Sequence, residues 1–412
     1  MQLGKSKLDI TPNDSIQLAG FAHRKGSTQK IMQRLYIKTF VLRKNSKEIL
    51  FIIADLIWWD DLFVEDLKED IAYKFAIPEE YVCFHATHNH SGPQTSSKFS
   101  QQLGLASNSY LHFLREQILL GIEEAEENIE EVSMKIGKGV SDIGIYRRST
   151  VGGKAKMMPN SEVAIDNELT TVSFHTKDFK TKAVWIHYTC HPTTTDENII
   201  SSEFSGMCCE QLEKRYENAT FAFLQGFCGD IRPNLVEENQ FYRGTADDLQ
   251  EMSIQFTKDV SQAIKSNRMS SGNGSFYCNQ YILPLIFSDK NVRQLVPSSL
   301  FAEWPELVHH NMEKGYNLTI QHIHISEELS FISCNAELVQ DYGLYVRNLK
   351  NGLLPLGYSN GMMGYIPTTK QLREGGYEAL DSIFYFGYPS TIHSEMEERI
   401  KIKFNRVLGG KK

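Results

Sequence analysis

Nothing in this chain is long, apolar and uninterrupted enough to span a bilayer. The best run, Ile49 to Trp59, is short and carries Asp55, well under the ~18 apolar residues of a membrane helix. The opening Met-Gln-Leu-Gly-Lys-Ser-Lys lacks the apolar core of a secretory leader. The expectation is a cytoplasmic protein with no transmembrane segment. Basic charge is also in short supply. With 43 Lys and Arg against 51 Asp and Glu the net charge is −8, and no basic stripe carries interleaved aromatics, which argues against a nucleic-acid partner. Cys83, Cys190, Cys208, Cys209, Cys228, Cys278 and Cys334 are odd in number and form no CxxC pair. They read as reduced, mostly buried thiols rather than a disulfide framework. No repeat of fixed period and no low-complexity tract is found, and no oligomeric state is read from the sequence. What remains is 41% hydrophobic and 23% charged over 412 residues, the composition of a globular protein with a large core.

Strand-like runs alternate with amphipathic helices throughout. Tyr36 to Leu42 and Glu48 to Ala54 read as paired strands, the second apolar enough to be buried on both faces. Phe63, Leu67, Ile71 and Phe75 recur at i, i+4 and predict a helix with one core-facing stripe. Tyr81 to Ala86 is the next strand, and Tyr110 to Glu130 a helix whose acidic face is solvated. Further on come strand Ala183 to Thr189, helix Phe204 to Tyr216, strand Ala219 to Leu224 and helix Ala246 to Ile264. Strands Phe276 to Leu285, Leu318 to Ser326 and Leu329 to Cys334 complete the pattern. The fold class is mixed α/β, with large mixed sheets flanked by helices. Residues 1–412 are expected to form a single domain, with a possible internal break at Asn267 to Ser275.

The run His85-Ala-Thr-His-Asn-His-Ser-Gly-Pro93 sets His88 and His90 two residues apart. On an extended segment that spacing puts both imidazoles on one side of the backbone, and imidazole is the commonest ligand of a catalytic zinc. Taken alone, two histidines satisfied by local hydrogen bonds would explain the run equally well. Other candidates also stand where predicted strands end. His191 precedes Pro192, Gly226 to Asn234 is a turn-rich loop, and Glu337 closes Ser333-Cys-Asn-Ala-Glu337. Tyr358 to Thr369 is followed by Glu374-Gly-Gly-Tyr377-Glu-Ala.

In this order the motifs resemble those of the neutral, non-lysosomal ceramidases and their bacterial relatives. The resemblance runs from Leu8-Asp-Ile-Thr-Pro12 through HxHSGP, His-Pro, GDxxPN and the strand-end Glu337 to the YIxT and YE motifs. It implies a ceramidase-like catalytic domain with Zn2+ held by His88, His191, Glu337 and Tyr365. Glu337 stands in Asn-Ala-Glu where the family has Pro-Gly-Glu. The resemblance further implies that Tyr377 stabilises the developing oxyanion, and that His90 and Arg148 orient substrate beside the metal. Two imidazoles and a carboxylate are a recurrent catalytic zinc set. In that chemistry a zinc-activated water attacks an acyl carbonyl, and Tyr377 and His90 hydrogen-bond charge that appears only in the tetrahedral state. Asp55 or Asp230 is expected behind the ligands, fixing the imidazole tautomers.

Three departures accompany the resemblance. Arg232 replaces the serine of the family's GDxxPN loop, which excludes an acyl-enzyme through that position. The C-terminal immunoglobulin-like domain of full ceramidases and a signal peptide are both expected to be absent. Arg148 and Arg232 together would bring two permanent cations to the metal, and arginine takes carboxylates bidentately. The expected substrate is therefore a small, anionic acyl compound, such as an N-acyl amino acid, rather than ceramide. The leading reading is a zinc-dependent hydrolase of a linear amide. Its competitors are ester or lactone hydrolysis, ring-closing acyl transfer at the same site, and a non-catalytic metal-binding protein on this scaffold. The remaining histidines carry structural expectations. His85 and His187 read as packed or supporting strand residues, His322 and His324 as structural or surface residues, and His309 and His310 as a solvated helix end.

Overall fold

The computed structural model describes residues 1–28 and 30–408. Its largest sheet follows from alternating apolar strands and has the order Thr220–Gln225, Thr181–Tyr188, Glu168–Thr176, Glu130–Val140, Gln2–Asp9, Tyr36–Lys44, Lys47–Ala54, Val82–Ala86. The two outermost pairings are parallel and the inner ones antiparallel. Period-2 alternation splits each strand between two cores. Val41, Leu50 and Ile52 face helices Asp61–Phe75 and Asn108–Glu127, whereas Phe40, Phe51, Phe174 and Trp185 face a second sheet. That sheet comprises Tyr277–Pro284, Asn317–Ser326, Leu329–Cys334 and Leu353–Leu356. Trp185 is the hub of the interface, with ring centroids 4.7 Å from Phe51, 5.0 Å from Phe174 and 6.1 Å from Phe331. Helices Gln340–Leu349 and Glu395–Leu408 back the second sheet, giving an α/β/β/α sandwich. No described helix is long and apolar enough to cross a membrane.

The sheet edges are joined where the candidate site lies. The backbone N–H of Gln225, on one outer strand, donates to His85 Nε2 on the other at 2.9 Å. The other nitrogen of that ring, Nδ1, is 2.9 Å from Ser359 Oγ. The loop around Ser359 docks on Val82–Ala86 through Ala86 N–H to Tyr358 O (3.1 Å) and Asn360 N–H to Phe84 O (2.7 Å). His85 is thus a structural clamp. The Asn267–Ser275 stretch is held on the main sheet, because Arg268–Met269 pairs with Ile136 and Lys135. His322 and His324 are buried, with Nδ1 on the carbonyls of Val407 and Ser275, and His309 and His310 lie exposed on helix Glu303–Lys314.

Candidate metal centre

The two predicted histidine ligands each stand just beyond a strand and are fixed by backbone. After Val82–Ala86 the chain bends at His88, whose φ of 64° lies in the left-handed region, a conformation that surrounding structure must enforce in a residue with a Cβ. Its Nδ1 is 2.9 Å from the Ile57 carbonyl and its ring stacks on Tyr358 at 3.7 Å. His191 is anchored twice to one carbonyl, Ile231 O, which receives its backbone N–H (3.2 Å) and lies 2.8 Å from its Nδ1. Carbonyls only accept, so Nδ1 carries the proton in both rings and Nε2 presents a lone pair. Asp55 and Asp230, expected to set these tautomers, do other work. Asp55 lies 3.6 Å from the buried Lys38 ammonium and accepts from Tyr36 N–H, while Asp230 accepts from Gln340 N–H and the Gln371 amide. Backbone carbonyls hold the imidazoles instead.

Glu337 reaches the two imidazoles from a two-residue parallel ladder in which it pairs with Tyr365. Its Oε1 lies 2.6 Å from His191 Nε2 and 3.4 Å from His88 Nε2. Burial, with the Arg147 charge behind it, pushes His191 down to about 4, so the imidazole is neutral near pH 7. The Glu337 carboxylate oxygen and the His191 lone pair therefore meet at 2.6 Å without a proton between them, an arrangement that is repulsive unless a cation lies close by. Ligands on a tetrahedral zinc with bonds of ~2.0–2.1 Å sit roughly 3.3 Å apart, which the 3.4 Å from His88 Nε2 to Glu337 Oε1 matches and the 2.6 Å from His191 Nε2 falls short of. The donor set fits a metal. His90 joins the cluster: the ligand atoms of His88, His90 and His191 all lie within 4.8 Å of one another, with His90 Nε2 3.1 Å from His88 Nε2.

His90, His191, Tyr365, Tyr377, Arg147 and Arg232 line one cavity of about 430 Å³. The Tyr365 and Tyr377 rings are 5.4 Å apart, and the Arg147 guanidinium lies 5.6 and 5.7 Å from their centroids. Arg147 donates to the Tyr365 hydroxyl at 3.0 Å and to Glu378 at 2.8 Å. The structure places Arg148 elsewhere, on Glu378, Glu374 and the Gly375 carbonyl and outside the cavity lining. A slip in the ladder between Tyr146 and Arg148 re-aims the pair, so sequence alternation could not say which of the adjacent arginines faces inward. His187 is also apart from the centre, with Nε2 on the Pro355 carbonyl.

This geometry can be set beside known proteins. Residues 1–270 match the family model for the N-terminal part of neutral/alkaline non-lysosomal ceramidase. The chain belongs to that family. A search of curated proteins by sequence finds no match. Among solved structures, a neutral ceramidase from Pseudomonas aeruginosa aligns with TM-score 0.78 at 15% identity, covering 98% of this chain and 73% of that one. A ceramidase complexed with C2 gives 0.76 at 16% identity, covering 98% and 74%. At these identities the likeness establishes the mixed α/β ceramidase fold. In this ceramidase-family hydrolase the cluster histidines fall inside the matched region, and Glu337, Tyr365 and Tyr377 beyond it.

Proposed function

We propose that the protein is a zinc-dependent amidohydrolase acting on a linear N-acyl compound that is small and anionic rather than ceramide. The observation that carries this reading is the 2.6 Å approach of two acceptors, His191 Nε2 and Glu337 Oε1. His88, His191 and Glu337 would hold the metal, with Tyr365 beside Glu337 as the fourth donor. When bound, zinc acidifies water and polarises an acyl carbonyl as a Lewis acid. The remaining work falls to the protein. Tyr377, on the cavity wall, donates its phenolic proton in a hydrogen bond to the carbonyl oxygen as charge develops there. His90, which lines the same cavity, orients the same oxygen. Arg147, tethered by Glu378, keeps the two tyrosines in register. Arg232 occupies the family's serine position and supplies no nucleophile, so water is the attacking group.

Metal analysis and amide hydrolysis on one set of proteins test this. Wild type should carry about one zinc per chain and release amine from N-acyl amino acids. Chelation should abolish turnover and zinc restore it, while His88→Ala and His191→Ala lose both metal and turnover. A wild type that neither holds zinc nor takes it up would refute the reading.

A further inference from the structure

Among the described residues, the cavity beside the candidate centre has one cation with no counter-charge. Arg243 and His23 on its rim share Asp196, His23 at 2.7 Å. Arg147 is neutralised by Glu378. Arg232 differs from all three. It makes no ion pair and no side-chain hydrogen bond among the described residues, and its Nε is buried without a partner. The short strand Ile231–Pro233, paired antiparallel with Gly144, Ile145 and Tyr146, fixes its backbone. The guanidinium stacks on Phe241 with Cζ 4.3 Å from the ring centroid, which sets its plane and leaves the terminal nitrogens free. Burial, and then the charge of Arg147, pull the group down to about 10, so the protein bears an uncompensated electrostatic cost there.

We propose that Arg232 is the seat of a carboxylate carried by the substrate within a few bonds of the scissile amide. This rests on the hydrolase reading above and adds what the substrate must carry. The net free charge is one, because Arg147 is already shared with Glu378, so the seat suits a monoanion rather than a phosphate dianion. A planar fork with its face covered by Phe241 presents an edge, and an edge matches a carboxylate through two parallel hydrogen bonds. Discrimination is then built in: a neutral substrate leaves the guanidinium unpaired, whereas a carboxylate satisfies it.

Calorimetric binding and initial rates with three probes test the proposal on the full, metal-loaded chain. N-hexanoylglycine carries its charge on the amine side of the amide, N-hexylsuccinamate carries it on the acyl side, and N-hexanoylglycinamide is neutral. Wild type should bind one of the two carboxylates at least about tenfold more tightly than the neutral amide. That preference should vanish in Arg232→Ser and survive in part in Arg232→Lys, which keeps the charge and loses the fork. The preferred carboxylate identifies the side of the amide that bears the anion. Equal binding of charged and neutral probes by wild type, or a preference that persists in Arg232→Ser, overturns the seat. An Arg232-dependent preference without hydrolysis of any probe would overturn the hydrolase reading and leave the seat standing.

Discussion

Exchange of Glu337 for glutamine separates two accounts of the His191–Glu337 contact. If the contact is a salt bridge to a protonated imidazole, Glu337→Gln breaks a buried ion pair and costs about 3–5 kcal/mol. If instead two acceptors wait for a cation, the glutamine amide can donate to His191 Nε2. The metal-free protein then gains about 1 kcal/mol, the net worth of an ordinary hydrogen bond. With an unfolding entropy of ~2.1 cal/mol/K per residue over 412 residues, these outcomes are a fall of about 4–6 °C and a rise of about 1 °C in Tm. Zinc reverses the order. At a hundredfold excess over Kd the ion adds ~2.7 kcal/mol to wild type, or about 3 °C, and most of that is lost once the anionic ligand is gone. The chelated variant should therefore melt slightly above wild type and the zinc-treated variant below it. Thermal unfolding at pH 8, with chelator and with zinc, reads both. A large destabilisation of the chelated variant, or a wild type unmoved by zinc, would refute the reasoning.

Arg147→Met should lower kcat/KM at least tenfold by releasing Tyr365 and Tyr377, whereas Arg148→Met should register mainly in urea unfolding, because it breaks contacts to Glu378 and Glu374 outside the cavity. Equal kinetic losses in the two variants would count against the placement. Gly20→Ala puts a Cβ 2.2 Å from His90 Nδ1 at a φ of +96°. It should cost about 1–3 kcal/mol and impair turnover, as paired denaturation and rate measurements would show. Acid should weaken the metal-free protein in a defined window. Burial pushes His85 down to about 3 and His191 to about 4, below the ~6.5 of a free imidazole, so the folded chain binds fewer protons than the unfolded one. Stability is then full above pH ~6.5 and falls as pH drops towards 4; urea midpoints that stay flat between pH 7 and 5 would contradict this.

The strands and their order of appearance are legible because short apolar runs are bounded by turn residues, as at Lys47–Ala54 and Leu329–Cys334. That Trp185 joins two sheets face to face was not legible, since an apolar face does not say whether a helix or a sheet will cover it. At the candidate site, strand-end placement marked His88, His191 and Glu337. Three features were hidden. Backbone carbonyls set the imidazole tautomers, and a carbonyl is present at every residue. The ladder slip at Tyr146–Arg148 chose Arg147 for the cavity, and a slip leaves alternation unreadable. The left-handed turn at His88 carries no glycine to announce it.

The ladder that joins Glu337 to Tyr365 bears on how the protein matures. All three clustered histidines are synthesised before residue 200, while the carboxylate and both tyrosines follow some 150 to 190 residues later. At ~5–20 residues per second, a nascent chain spends roughly ten seconds or more as a set of imidazoles without their anion. During that interval neither the Glu337 carboxylate nor the Tyr365 and Tyr377 hydroxyls are available to the three imidazoles. Under the zinc reading proposed above, the mixed nitrogen–oxygen set would be complete only once the two-residue ladder of Glu337 and Tyr365 has formed, so the site would be among the last parts of the molecule to assemble.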